Sequence, residues 1–320
     1  MRIAVILTLL LTAGWPAIPQ GLGAEPQATE QRPLRLAFIT CCKDAAFFVP
    51  VKKGMRDAAE KMGVHCDWLG VEGVDMPAQA ALVRKAVADG YDGIAVNLVD
   101  PQAFDGVVAE ALRRGVPVVG FNTDDHDTPN ARLSCVNQRL YAAGRALAAH
   151  VAPHVPEGSH ILVTMHDRGV SSLEDRRRGL QEGLKGKNVR WTVLIPGIDA
   201  VRGAQVVAQA LQQNPDIRIV LSTGQADTEA AGRAIERRFA GKGYWAAGFD
   251  LSPTTLRLLK AGHIRATVDQ QPYMQGFYPV IQLTLRLRYG IAPSDIDAGA
   301  TILEPCDADR VLELTKQQYR

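Results

Sequence analysis

Residues 34–40 read LRLAFIT, residues 50–63 read PVKKGMRDAAEKMG and residues 64–70 read VHCDWLG. The outer two are short apolar runs of strand length. The middle one places Val51, Met55, Ala58 and Ala59 on one helical face and closes on Gly63. Strand, helix and strand in that order form the unit of a parallel sheet, because a parallel neighbour needs a crossover long enough to return the chain to the starting edge. The same alternation continues outward. A helix is predicted at 77–90, a strand buried on both faces at 93–99, a helix from Asp100-Pro101 to Gly115, and a strand at 116–121. A second series follows, with strands at 161–165, 189–195, 217–222 and 245–249. Helices lie between and after them near 172–184, 199–213, 227–238 and 252–261, and a helix at 273–289 and a short strand at 300–303 close the chain. Two successive series predict an α/β protein of two doubly wound, Rossmann-like parallel sheets, each with its own core.

Composition agrees. The 320 residues are 47% hydrophobic, 6% aromatic and 22% charged, with a net charge of +2. That is apolar enough for two cores, too apolar and too nearly neutral for a disordered chain, and without the basic excess of a nucleic-acid binder. At the start, Arg2 precedes the apolar run from Ile3 to Leu11, and small residues end at Ala24. This is the pattern of a secretory signal peptide over 1–24, too short to span a bilayer, followed by a polar linker over 25–33. A periplasmic location is therefore expected. Five cysteines (Cys41, Cys42, Cys66, Cys135, Cys306) in an oxidising compartment invite a disulfide, and the odd count leaves at least one unpaired. Their spacing holds no zinc pattern, burial as small hydrophobes is favoured, and the adjacent Cys41 and Cys42 are expected to point to opposite faces of a strand end.

In open parallel sheets, ligands bind beyond the carboxyl ends of the strands. Those ends carry Thr40 to Asp44, Asn97, Asn122 to Asp125, His166-Asp167, Thr223 to Gln225, and Asp250, with Phe47, Phe48, Phe121 and Phe249 close by. Carboxylates and amides can grip several hydroxyl groups, and an aromatic face can cover the apolar side of a sugar. Asp75, Asp100 and Ser252 are expected to serve as helix caps, whereas Asp250, followed by a better cap at Ser252-Pro253, is expected to face a ligand. Ser172 is expected to cap its helix, with Asp175 three positions on. No dinucleotide, P-loop, zinc-protease or nucleophile-elbow motif is present, so no catalytic residue, cofactor or metal is assigned. Trp191, Trp245 and Tyr273 are expected to fill cores.

Several segments together resemble the ribose/galactose-type periplasmic solute-binding proteins of sugar ABC importers. They are Phe47-Phe48 opening the first helix, Gly90-Tyr91-Asp92-Gly93-Ile94, Gly115-Val116-Pro117-Val118-Val119 leading to Asn122, Gly248-Phe249-Asp250, and the run from Ala266 to Gly276. The likeness extends from Leu34 to about Leu303. It implies two lobes, 34–137 plus 271–305 and 138–270 plus 306–320, joined by a three-segment hinge with crossovers near Asn137, Gln270 and Pro305 and a ligand cleft between the lobes. The resemblance further implies ligand contacts from Lys43, Asp44, Phe47, Phe48, Asn122, Asp124, Glu174, Arg176, Gln225, Asp227, Asp250 and Gln270.

Departures from the family pattern give a direction to the ligand. Asn122-Thr123 stands where pentose binders carry Asp-Arg, Glu174 where an Arg is expected, and Ala226 where an Asn is expected. With Asp44, Asp124, Glu174, Asp227 and Asp250 kept, an acidic cleft is expected, suited to a sugar, polyol or aminosugar. The implied partner is an ABC permease at the inner membrane. The alternative is a sensory role presenting the closed form to a chemoreceptor or histidine kinase. The protein is expected to be a monomer and not an enzyme. A transcription regulator is disfavoured because the signal peptide occupies the place of a DNA-reading motif, and a glycosidase because no carboxylate pair is set at a catalytic separation.

Overall fold

In the computed structural model, which describes residues 32–124 and 131–320, the chain enters its first sheet at β1 (Arg35–Thr40). The expected signal peptide at 1–24, the linker up to residue 31, and Asp125 lie outside the described residues. The first series runs β1, α1 (Phe48–Met62), β2 (His65–Gly70), α2 (Met76–Ala88), β3 (Gly93–Val96), α3 (Pro101–Arg113), β4 (Val118–Asn122) and β5 (Cys135–Asn137). The second runs α4 (Leu140–Val151), β6 (His160–Thr164), α5 (Ser171–Gly183), β7 (Arg190–Leu194), α6 (Ala200–Gln213), β8 (Ile217–Ser222), α7 (Gln225–Ala234), β9 (Trp245–Phe249), α8 (Pro253–Lys260) and β10 (Ile264–Asp269). The chain ends with α9 (Pro272–Tyr289), β11 (Ile296–Asp297), β12 (Thr301–Leu303) and α10 (Ala308–Lys316).

Two six-stranded sheets result, ordered β11-β5-β4-β3-β1-β2 and β12-β10-β9-β8-β6-β7. Every pairing is parallel except β12 against β10. Alternation along each strand sends side chains to opposite faces. In the first sheet, Ala37 and Ile39 pack under α2 and α3, while Leu36 and Phe38 pack under α1 and α9. In the second, Leu162, Val220 and Ala246 face α6, α7 and α8, while Ile161, Val163, Leu221 and Phe249 face α4. Helices thus cover both faces of both sheets, as the long apolar strands require. Trp191 and Trp245 pack half-buried against the second core.

The chain passes between lobes three times, at Asn137-Gln138, at Gln270-Gln271, and between β11 and β12. The third position corrects the expectation at Pro305. Thr301, Ile302 and Leu303 pair with Asp269, Val268 and Thr267, so β12 belongs to the second sheet and the crossing precedes Thr301. The three segments are stitched together. Ala298 N donates to Asn137 O at 2.7 Å, Gln138 Nε2 to Gly299 O at 2.8 Å, and Gln271 Nε2 to Ala298 O at 2.9 Å.

Candidate functional site

A cavity of about 110 Å³ lies where the carboxyl ends of the two sheets face each other. Cys41, Cys42, Phe47, Phe48, Asn97, Asn122 and Thr123 line it from the first lobe. His166, Ser172, Arg176, Gln225 and Asp250 line it from the second, and Gln270 from the hinge. Val74, Val99, Leu140, Val170, Leu173 and Ile198 supply apolar wall. Three of the non-glycine residues with left-handed backbone sit in this lining: Cys42 (φ 46°), Asn122 (φ 64°) and Asp250 (φ 71°). L-residues resist that conformation, and such residues tend to gather where a site dictates side-chain direction.

Arg176 comes from the buried face of α5 and is only 3% exposed. It reaches the cavity because α5 lies almost against α4. A Cβ on Gly144 would meet Arg176 O at 2.3 Å, and one on Gly179 would meet Tyr141 O at 2.2 Å. The guanidinium donates to Thr223 O at 2.9 Å and to Gln138 Oε1 at 2.9 and 3.2 Å. It lies over the Phe249 ring at 4.3 Å and pairs with Asp250 Oδ2 at 3.5 Å. Burial lowers the Arg176 pKa against the pull of Asp250 and Asp227. Burial likewise raises that of Asp250, against Arg176 and the Gln270 amide.

A polar chain crosses from lobe to lobe. Asn97 Nδ2 donates to Asn122 Oδ1 at 3.0 Å, and Asn122 Nδ2 to Gln275 Oε1 at 3.0 Å. Gln275 Nε2 donates to Gln270 Oε1 at 3.0 Å, and Gln270 Nε2 to Asp250 Oδ1 at 2.5 Å. The buried Asn97 Oδ1 accepts no hydrogen bond from the described residues. A buried acceptor without a donor is costly.

Of the twelve expected contacts, Phe47, Phe48, Asn122, Arg176, Gln225, Asp250 and Gln270 line the cavity. Phe48 is 4% exposed and packs with Trp68 and Phe121 in the first core, so the half-buried Phe47 offers the more open ring. The other five do not line it. The Lys43 carbonyl accepts from Trp68 Nε1 at 3.1 Å, and Asp44 is exposed in an outer groove. Asp124 is gripped by Arg132, and Glu174 pairs with Arg177 at 2.8 Å. Asp227 lies beneath the cavity floor, accepting from Thr223 N and Gly224 N at the start of α7 and lying 3.2 Å from His166 Nδ1. The expected acidic cleft is therefore corrected. Of the five acids only Asp250 reaches the cavity, and it faces a buried arginine.

Asp75, Asp100 and Ser252 do cap their helices, accepting from Ala78 N, from Gln102 N and Ala103 N, and from Thr255 N. Ser172 does not. α5 starts at Ser171 with Val170 at the cap position, which places Ser172 in the cavity wall. Asn97, Thr123, Cys41, Cys42 and His166 were all legible as strand-end residues. Ile198 and Leu140 carried no such signal, since they come from a loop and a helix start. Burial opposes the His166 imidazolium, but the hydrogen bond and charge of Asp227, with Cys42 and Asp250 nearby, outweigh it and raise its pKa. All five cysteines are free. Cys42 turns into left-handed backbone after β1 ends, which brings it into the same wall as Cys41 and not to the opposite face. Among the described residues, no group of three or more His, Cys, Asp or Glu could hold a metal, and no helix is long and apolar enough to cross a membrane.

A family model described as a periplasmic binding protein domain matches residues 36–288. The xylose/arabinose-binding protein of Sulfolobus acidocaldarius is 27% identical over 296 residues, covering 87% of this chain and 72% of the relative. The D-allose-binding periplasmic protein of Escherichia coli is 30% identical over 245 residues, covering 71% and 76%. Among solved structures, a carbohydrate transporter from Acidothermus cellulolyticus in complex with myo-inositol superposes with a TM-score of 0.81 at 27% identity. That match covers 90% of this chain and 100% of the other.

Proposed function

The chain belongs to the periplasmic binding protein family, and on that premise we propose that it is a periplasmic receptor for a sugar or sugar-like polyol. It captures one molecule between its lobes, as a monomer, and hands it unchanged to an ABC importer. The relatives' sugar ligands and the myo-inositol of the solved neighbour support the ligand class. The observation that carries the assignment to a neutral polyhydroxyl compound is the buried pairing of Arg176 with Asp250 in the cavity wall. The two charges offset each other, so a charged ligand would leave one of them uncompensated in a dry site. Hydroxyl groups can accept from the guanidinium and donate to Asp250 at once. A cavity this small suits a single ring and not an oligosaccharide.

Calorimetric titration of the reduced chain against pentoses, hexoses, inositols, an aminosugar and a sugar acid tests this. One neutral compound is expected to bind one-to-one and to be recovered intact. Asp250→Ala should weaken it by about 2–5 kcal/mol, roughly thirtyfold or more. Tighter binding of the aminosugar or the sugar acid, or an unchanged affinity in the variant, would refute the assignment.

A further inference from the structure

Cys41 and Cys42 are adjacent, both free and both in the cavity wall, yet they are not equivalent. Cys41 is buried. Cys42 is half-buried and also lines a second groove of about 420 Å³ outside the cavity, with Asp44, Glu72 and Glu229 on its rim. A reagent in that groove meets Cys42 first and Cys41 only through it. From the second lobe His166 lines the same cavity, where its charge favours the Cys42 thiolate, and it is itself held by Asp227 at 3.2 Å. Thiol and imidazole thus line one cavity from facing lobes.

We propose that Cys41–Cys42 is a thiol–disulfide exchange site whose reactant is a low-molecular-weight disulfide. The Cys42 thiolate attacks one sulfur of the disulfide, forming a mixed disulfide and expelling one thiolate. Cys41, losing its proton to that leaving group or to solvent, attacks Cys42 sulfur, forming the Cys41–Cys42 bond and expelling the second thiolate. The protein loses two electrons and two protons, and the small disulfide gains both as two thiols. The groups around Cys42 agree. The Cys41 thiol and His166 bring it down to about 7, against burial and Asp167, whereas Cys41 is raised, first by its interaction with Cys42 and then by burial. Attack starts at Cys42, the more exposed of the two, and Cys41 resolves. Adjacent α-carbons stand about 3.8 Å apart, closer than ordinary bridges favour, so the product is strained and readily reduced. The modification is reversible by small thiols.

The test uses the reduced full chain and oxidised glutathione at pH 7, followed by alkylation, tryptic digestion and mass measurement of peptide 36–43, which holds both cysteines and no other. The expected peptide has lost two hydrogens and carries no glutathione. Cys41→Ser should instead stop at a stable glutathione adduct on Cys42. His166→Asn should slow the initial rate about threefold or more, as the thiolate fraction falls. A wild-type peptide that keeps glutathione, or that remains a dithiol after the exposed Cys306 has reacted, overturns the proposal. Both readings use wild-type protein, so a variant that fails to fold does not obscure them. Because both residues belong to the cavity wall, oxidation should also weaken sugar capture. Only that second consequence rests on the proposed function, so its failure is distinguishable from failure of the exchange.

Discussion

His166 shows how one residue ties chemistry to stability. It is a histidine whose folded pKa is raised, chiefly by Asp227 acting against burial. Its contribution is fully present below the unfolded value of about 6.5 and is lost as pH rises through the folded one. Cys42 titrates in the opposite sense, since its thiolate is favoured in the fold, and Asp250 also faces the imidazole. In a Cys42→Ser background, the urea midpoint should therefore fall as pH is raised from about 6 to 8. Adding His166→Gln should flatten that fall, and an equal slope in both proteins would disprove the linkage. At this scale the sequence was partly legible. Strand ends pointed to Asn122 and Asp250, and the family resemblance to Arg176 and Gln270. They could not show that Asp124 turns to Arg132, which belongs to no motif, or that Glu174 turns along its own helix to Arg177 and not to the cavity.

Helix pairs in both lobes approach through glycine. A Cβ on Gly54 would meet Tyr273 O at 2.1 Å, and one on Gly276 would meet Val51 O at 1.9 Å, so α1 and α9 touch backbone to backbone. Gly144 and Gly179 do the same for α4 and α5, but the atom a Cβ on Gly144 would displace belongs to Arg176. Gly54→Ala and Gly144→Ala should each cost about 1–3 kcal/mol by overpacking, read as a lower urea midpoint. Only Gly144→Ala should also weaken sugar binding, by roughly tenfold, because it shifts the turn carrying Arg176. Equal affinities in the two variants would show that α5 placement does not control the site. Most elements were readable from apolar period and glycine stops. α4 was passed over although its Ala143, Leu147, Ala148 and Val151 share a buried face. β12 looked like a first-lobe strand, because the partner of so short a run is fixed by a sheet edge and not by its own residues.

At the scale of the molecule, the cavity and the hinge form one hydrogen-bonded system. Gln138 accepts from Arg176 and donates to Gly299, Gln270 holds Asp250, and Gln271 holds Ala298. Ligand contact at Arg176 is thus felt at every crossover, which suits closure by bending of the three segments together. Saturating sugar should lower the radius of gyration in small-angle scattering. Gln138→Ala removes bonds to a charged group worth about 1.5–3 kcal/mol each, so the same compaction should require roughly tenfold more sugar or beyond. An unchanged titration would separate hinge from site.

The path of the chain has one more consequence. Val280 and Leu283 of α9 belong to the first core, and β11 forms the edge of the first sheet. Leu303 and Val311 belong to the second core, and β12 edges the second sheet. Both lobes are therefore finished by residues after 271. A polypeptide still emerging from a ribosome, or being threaded through a membrane pore amino end first, lacks the pieces that seal either half. It stays unlocked until its tail arrives, and then both halves can set nearly together.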